Sequence, residues 1–140
     1  MAIERTYIMV KPDGVERRLS GEIIRRLENR GLTLVGLKML IPTRETAEKH
    51  YAAHSEKPFF GELVDFVTSG PVVATVWEGP DAIKLTRTMI GATKPVDALP
   101  GTIRGDFTCD MLNNLVHGSD SVESAAEEIA LWFGENGLAR

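Results

Sequence analysis

The apolar positions of this chain fall into short strand-like runs separated by helical stripes. Residues 4–10 read as a strand in which Tyr7, Ile8, Met9 and Val10 are apolar on both faces, the pattern of a central strand. Lys11 stands at its end, and Pro12-Asp13-Gly14 has the chemistry of a turn. Residues 20–30 place Ile23, Ile24 and Leu27 at helical spacing, with Ser20 as cap and Gly31 as stop. Residues 32–41 return to alternation: Thr33, Val35, Leu37, Met39 and Ile41 share one face, Leu34, Gly36, Lys38 and Leu40 the other, and Pro42 ends the run. Thr43 caps a short helix that carries His50 and Tyr51 toward its end. A second helix spans residues 58–68. There Phe59 and Phe60 are adjacent and cannot be buried in one direction; they are two half-buried core rings, or one core ring and one lining a cleft.

The second half continues the alternation of elements. Ser69-Gly70-Pro71 makes a turn, and residues 72–77 form a β-branched strand. Gly79-Pro80 opens a helix that carries Ile83, Leu85 and Met89, with Arg87 in its last turn. Residues 91–113 show no strong period and hold Gly91, Pro95, Pro100, Gly101 and Gly105; a loop this long in a small domain is expected to be functional. An apolar run then ends in His117, and a helix starts at Val122 with its stripe at 122, 125, 126, 129, 130 and 133. Asp120 is its expected N-cap, completed by Glu123 in a capping box, and the tail 134–140 is expected to fray. Stripped of extra helices the order is β-α-β-β-α-β. That predicts an α+β, ferredoxin-like sandwich with a four-stranded antiparallel sheet and helices on one face, in a single domain over residues 1–140.

Composition adds limits to this picture. The 140 residues are enough for a sizeable core, and 43% hydrophobic with 26% charged is ordinary for a globule. No apolar run is long enough to span a membrane, Met1-Ala2-Ile3-Glu4-Arg5 has no signal-peptide pattern, and Cys109 is the only cysteine, so a cytoplasmic protein is expected. A net charge of −4 argues against a general nucleic-acid binder, and no membrane partner is expected. The three histidines include His50 and His54 at i, i+4, but no glutamate between them makes a zinc motif.

The candidate chemistry centres on His117. It sits where a strand hands over to a helix N-terminus, a place that attracts anions. It is either a packed, hydrogen-bonded residue or a nucleophile whose second nitrogen is held by a carboxylate, for which Glu128 is the candidate. Lys11, Arg87 and Arg104 occupy a strand end, a helix end and a glycine-flanked loop, from which cations reach a shared cleft. Arginine forks match phosphate oxygens and lysine adds a point charge, a set suited to phosphoryl transfer. There is no GxxxxGK[ST] loop, no GxGxxG after a strand and no nucleophile elbow.

These blocks together resemble one family. Lys11-Pro-Asp-Gly14, Lys57-Pro-Phe-Phe60, Ser69-Gly-Pro-Val72, Pro100-Gly-Thr-Ile-Arg-Gly-Asp-Phe107 and Asn114-Leu-Val-His-Gly-Ser-Asp-Ser121 are similar, in order and spacing, to those of nucleoside diphosphate kinases, over residues 4 to 133. The resemblance implies a ping-pong enzyme that moves a γ-phosphoryl group from a nucleoside triphosphate to His117 Nδ1 and on to a nucleoside diphosphate. It implies that Glu128 orients the imidazole, that Ser119 belongs to that network and that Tyr51 lies beside it. It implies phosphate contacts from Arg87, Thr93 and Arg104, ribose and phosphate contacts from Lys11 and Asn114, and a base stacked on Phe59. Mg2+ would bridge the nucleotide's phosphates without a protein cage, and the chain would form a homo-oligomer, hexamer or tetramer. Where many members carry Val-Gly-Arg-Asn before the histidine block, this chain has Met111-Leu112-Asn113-Asn114, which makes Met111 the second wall of the base site. Two rival readings use the same residues: a nucleotide sensor without turnover, and a phosphohistidine carrier that passes its group to protein partners.

Overall fold

In a computed structural model, which describes residues 3–140, four strands form one antiparallel sheet in the order β2-β3-β1-β4. The strands are β1 (Ile3–Val10), β2 (Thr33–Leu40), β3 (Val72–Pro80) and β4 (Val116–Gly118). The helices are α1 (Pro12–Glu16), α2 (Ser20–Asn29), α3 (Arg44–His50), α4 (Phe60–Val67), α5 (Ala82–Ile90), α6 (Ile103–Phe107) and α7 (Val122–Phe133). This is the ferredoxin-like α+β topology.

The expectation of helices on one face is corrected by the core. Tyr7 and Met9 of β1 pack with α3, α4 and α7 through Ala47, Val64, Val67, Trp132 and Phe133. Ile8 and Val10 pack on the opposite face with Ile23 and Leu27 of α2 and Ala82 and Ile90 of α5. A strand that is apolar at every position needs cover on both sides.

Several local expectations also change. Pro12-Asp13-Gly14 is the first turn of α1, with Pro12 in the helix start where its missing N–H costs nothing. Helix α2 begins with Leu19, not Ser20, as its cap. Pro80 ends β3 opposite Ile3 instead of opening a helix. Asp81 then turns the chain with φ 49°, and the free Ile83 N–H at the start of α5 donates to Glu4 Oε1 at 3.1 Å. A bulge between Leu34 and Gly36 breaks the alternation of β2. Val35 stays in the core, but Leu37, Met39 and Ile41 stand 54%, 61% and 63% exposed because the extra residue reverses the facing of all that follow.

Helix α7 is capped by Ser121, whose Oγ accepts from the Ser124 N–H at 3.0 Å, and not by Asp120. Its buried side is Ala125, Ile129, Trp132 and Phe133, with Val122 exposed, so the true stripe is turned from the expected one and includes Trp132. The tail docks instead of fraying: Leu138 packs on the core beside Gly36, and the Ala139 N–H donates to the Val35 carbonyl at 2.7 Å.

Candidate active site

β4 is only three residues long, and its middle residue is His117, opposite Met9 of β1. The ring stands at the rim of a cleft of about 960 Å³. Its Nε2 lies 3.0 Å from Glu128 Oε1. The same carboxylate oxygen accepts from Ser119 Oγ at 2.5 Å, and Ser119 is fully buried, its own N–H donating to the Tyr7 carbonyl at 3.0 Å. Glu128 reaches back because α7 folds over β1, which puts the second turn of the helix against β4. A carboxylate on Nε2 favours the proton there and leaves the lone pair on Nδ1.

Lys11, Arg87 and Arg104, the three cations expected from the sequence, face the same cleft, together with Lys49. Lys11 is nearly buried and donates through Nζ to Asn114 Oδ1 at 2.9 Å. Burial and the Arg104 charge bring its pKa down to about 8. Arg104 is not in an open loop: it lies on α6, whose cap is the Thr102 hydroxyl, and is only 6% exposed. Its Nε, Nη1 and Nη2 donate to the carbonyls of Asn114, Gly91 and Val116 at 3.3, 3.2 and 2.7 Å. Three of its five N–H groups are thus taken, and one remains on each terminal nitrogen, a fork for two oxygens of one anion. Burial and the Arg87 charge lower its pKa to about 10, so it stays charged near neutrality. Arg87, in the last turn of α5, donates through Nη1 to the Gly118 carbonyl at 3.2 Å.

The remaining expected residues meet in the same space. Thr93, Met111, Asn114, Tyr51 and Phe59 all line the cleft. Phe60 is partly buried against the core while Phe59 is 42% exposed at the start of α4, which resolves the pair into one core ring and one cleft ring. Met111 is 58% exposed. The Tyr51 hydroxyl is buried without a partner, and burial together with Glu128 pushes its pKa up to about 12.

Sequence reasoning weighed His50 only as a metal ligand paired with His54, not as a neighbour of His117. Helix α3 ends there, so His54 does not share its face. Trp132 Nε1–H donates to His50 Nδ1 at 3.1 Å, and the His50 ring meets the His117 ring edge to face at 4.5 Å between centroids. Burial, then His117 and Lys11, push the His50 pKa well down, which keeps it neutral. The available signal was the i, i+4 spacing of Glu128 and Trp132 on α7, which aims both at the site. His50, His117 and Glu128 place one potential ligand atom each within 4.8 Å of one another. Those groups are already engaged by Trp132 and Ser119, and a nitrogen-rich set does not suit Mg2+.

Comparison with known proteins bears on the chain as a whole. A family profile described as nucleoside diphosphate kinase matches residues 4–138. A nucleoside diphosphate kinase from an Exiguobacterium species is 64% identical over 95% of this chain and 96% of its own length. One from a Picosynechococcus species is 60% identical over 98% and 92%. Among solved structures, a nucleoside diphosphate kinase from Halobacterium salinarum in complex with CDP superposes with a TM-score of 0.95 at 52% identity, covering 99% of this chain and 93% of that one. The Aquifex aeolicus nucleoside diphosphate kinase gives a TM-score of 0.95 at 46% identity, covering 98% and 99%. With the fold, the profile match and nearly full-length identity in agreement, the chain belongs to the nucleoside diphosphate kinase family.

Proposed function

We propose that His117 carries the phosphoryl group in this enzyme's reaction, the ping-pong transfer of the γ-phosphoryl of a nucleoside triphosphate to a nucleoside diphosphate. The observation that carries this reading is the Glu128 carboxylate 3.0 Å from His117 Nε2, with the ring open to the cleft. In the first half-reaction Nδ1 attacks the γ-phosphorus; the N–P bond forms as the bond to the bridging oxygen breaks and the diphosphate leaves. The proton on Nε2 stays there, donated to Glu128, which stabilises the positive ring as it forms. Ser119 fixes the carboxylate. The second half-reaction reverses these steps with a different nucleoside diphosphate.

Arg104, Arg87 and Thr93 hold the phosphates, where the free N–H pair of Arg104 suits an equatorial oxygen pair. Lys11 and Asn114 face the ribose and the phosphate end. Phe59 and Met111 flank the base, and a ring face that reads no base edge lets one cleft take several nucleotides. Tyr51 closes the side next to the histidine pair. Mg2+ fits as an ion carried in on the nucleotide, because the cleft's phosphate end is lined by cations and its one ligand cluster is nitrogen-rich. Bound with the nucleotide, it would supply positive charge that offsets the phosphate charge.

The chain is read as one domain of a cytoplasmic homo-oligomer, hexamer or tetramer. The exposed apolar row Leu37, Met39 and Ile41 at the sheet edge supports association. No helix among the described residues is long and apolar enough to cross a membrane.

Incubation with γ-labelled ATP and magnesium, followed by removal of nucleotide, tests the reading. Acid-labile, base-stable label on His117 that moves to added GDP is expected, and none on His117→Ala. Unlabelled parent protein would leave only a sensor, and label that GDP does not collect would leave only a carrier.

A further inference from the structure

Leu115, two residues before the catalytic histidine, is fully buried and has φ 75°. A side chain with a Cβ is disfavoured in that region. The Val116 N–H donates to the Asn114 carbonyl at 2.9 Å, so Leu115 is the centre of a γ-turn, and the positive-φ form of this turn is rare and strained. Such strain persists only where the surroundings over-determine it. Arg104 holds the two outer carbonyls of the turn, those of Asn114 and Val116. The Lys11 N–H donates to the Leu115 carbonyl at 2.8 Å. The last polar group of the turn, the Leu115 N–H, donates to Asp13 Oδ2 at 3.0 Å.

We propose that Asp13 is a positioning residue of the nucleotide site: by holding the Leu115 N–H it keeps the strained turn closed and Asn114 in place against Lys11. Asp13 does not line the cleft and lies on α1, one helix away from substrate. Its half-buried carboxylate presents Oδ2 to the turn, while Oδ1 is buried without a partner. The packing is close: a Cβ on the neighbouring Gly14 would come within 2.8 Å of the Leu115 carbonyl oxygen. The residue next to the turn is Asn114, whose Oδ1 accepts from Lys11 Nζ at 2.9 Å and whose Nδ2 donates to the Met111 carbonyl at 3.0 Å. One limb therefore carries both the Lys11 partner and the wall of the base site. His117 is held separately, by pairing with Met9 and by Glu128. Releasing Leu115 loosens the nucleotide limb and leaves the imidazole set.

This rests on reading Lys11 and Asn114 as nucleotide ligands, and the test separates the two. Single-turnover phosphorylation of His117 by ATP is followed over a range of ATP concentrations. Asp13→Ala is expected to raise the half-saturating ATP concentration by about tenfold, the scale of one strained turn released, with the maximal rate within about threefold. Asp13→Asn keeps an oxygen acceptor of the same length and is expected to stay within about threefold of the parent on both measures. If D13A does not fold, Asp13→Ser, which ends one atom short of the N–H, takes its place under the same expectation. A half-saturating concentration unchanged in D13A, or raised equally in D13N, overturns the proposal, as does failure of both D13A and D13S to fold, which assigns Asp13 to the fold alone. An unlabelled parent instead overturns the functional reading itself.

Discussion

Burial does different work on each cation of this site. Arg104 is sunk among carbonyls and keeps its charge, while Lys11 is sunk beside Arg104 and is brought to a pKa of about 8. Below that value Lys11 is an ammonium and attracts phosphate; above it the amine is neutral and the attraction is lost. Since kcat/KM reports the free enzyme, it should fall as pH rises through about 8, toward a tenfold loss per pH unit. Lys11→Arg removes the titration, because a guanidinium stays charged, and its kcat/KM should be flat from pH 7 to about 9 even if lower throughout. Steady-state profiles of the two proteins check this; a parent profile flat through pH 9 would show that Lys11 does not bear on binding. The same reasoning explains why His50 is available to lie against His117 without repelling it. A neutral imidazole fixed by Trp132 is a wall, where a charged one would compete for the γ-phosphate.

The elements hold these side chains with little to spare. Helix α7 supplies Glu128 and depends on one cap: Ser121 Oγ accepts from the Ser124 N–H, while Asp120 accepts from Ser124 Oγ at 2.7 Å. Ser121→Ala should therefore lower unfolding free energy by about 1 kcal/mol, and Asp120→Ala by less, in urea titrations monitored by circular dichroism. The reverse order would return the cap to Asp120, where sequence alone put it. Serine and aspartate cap equally well, so two adjacent candidates are indistinguishable until φ and ψ are known. The bulge in β2 hides for a similar reason: Leu34-Val35-Gly36 alternates acceptably either way, and only the docking of Leu138 and Phe133 on Gly36 decides. Pro80 reads as a helix start by composition but is kept in β3 by its partner Ile3. What was legible was which groups come together in the cleft: His117, Glu128, Lys11, Arg87, Arg104 and the exposed ring of Phe59. What was not legible was the support behind them. Leu115 looks like one more core leucine, and its positive φ arises only from ties to Asp13, Lys11 and Arg104, more than ten residues away along the chain or on another element.

At the scale of the molecule, the two ends of the sheet have different fates. β4 at one edge is short and its backbone is claimed by the catalytic turn and by Arg87. Among the described residues, β2 at the other edge presents backbone groups without a strand partner beyond Val35, where the tail already pairs, and three exposed apolar side chains beside them. An open apolar edge is a hazard for a monomer unless it is covered. In the homo-oligomer proposed above, we infer that a second copy covers it: antiparallel pairing of β2 with itself across a two-fold axis would join two sheets and place each row against its twin. The strand carries Lys38 as its one charge, and that side chain lies over the Phe133 ring 5.1 Å from its centroid, on the core side, so the outward row is uncharged. Replacing Leu37 and Met39 together by glutamate puts like charges face to face across the axis. The expected outcome by light scattering is a smaller species than the parent protein gives, with the circular dichroism spectrum of the folded chain retained. His117 labelling should persist in that species, because His117, Glu128, Lys11, Arg87 and Arg104 line the cleft within one copy of the chain. An assembly of unchanged size would move the contact off this edge, and loss of labelling with the fold intact would mean that a neighbouring subunit helps to hold the site.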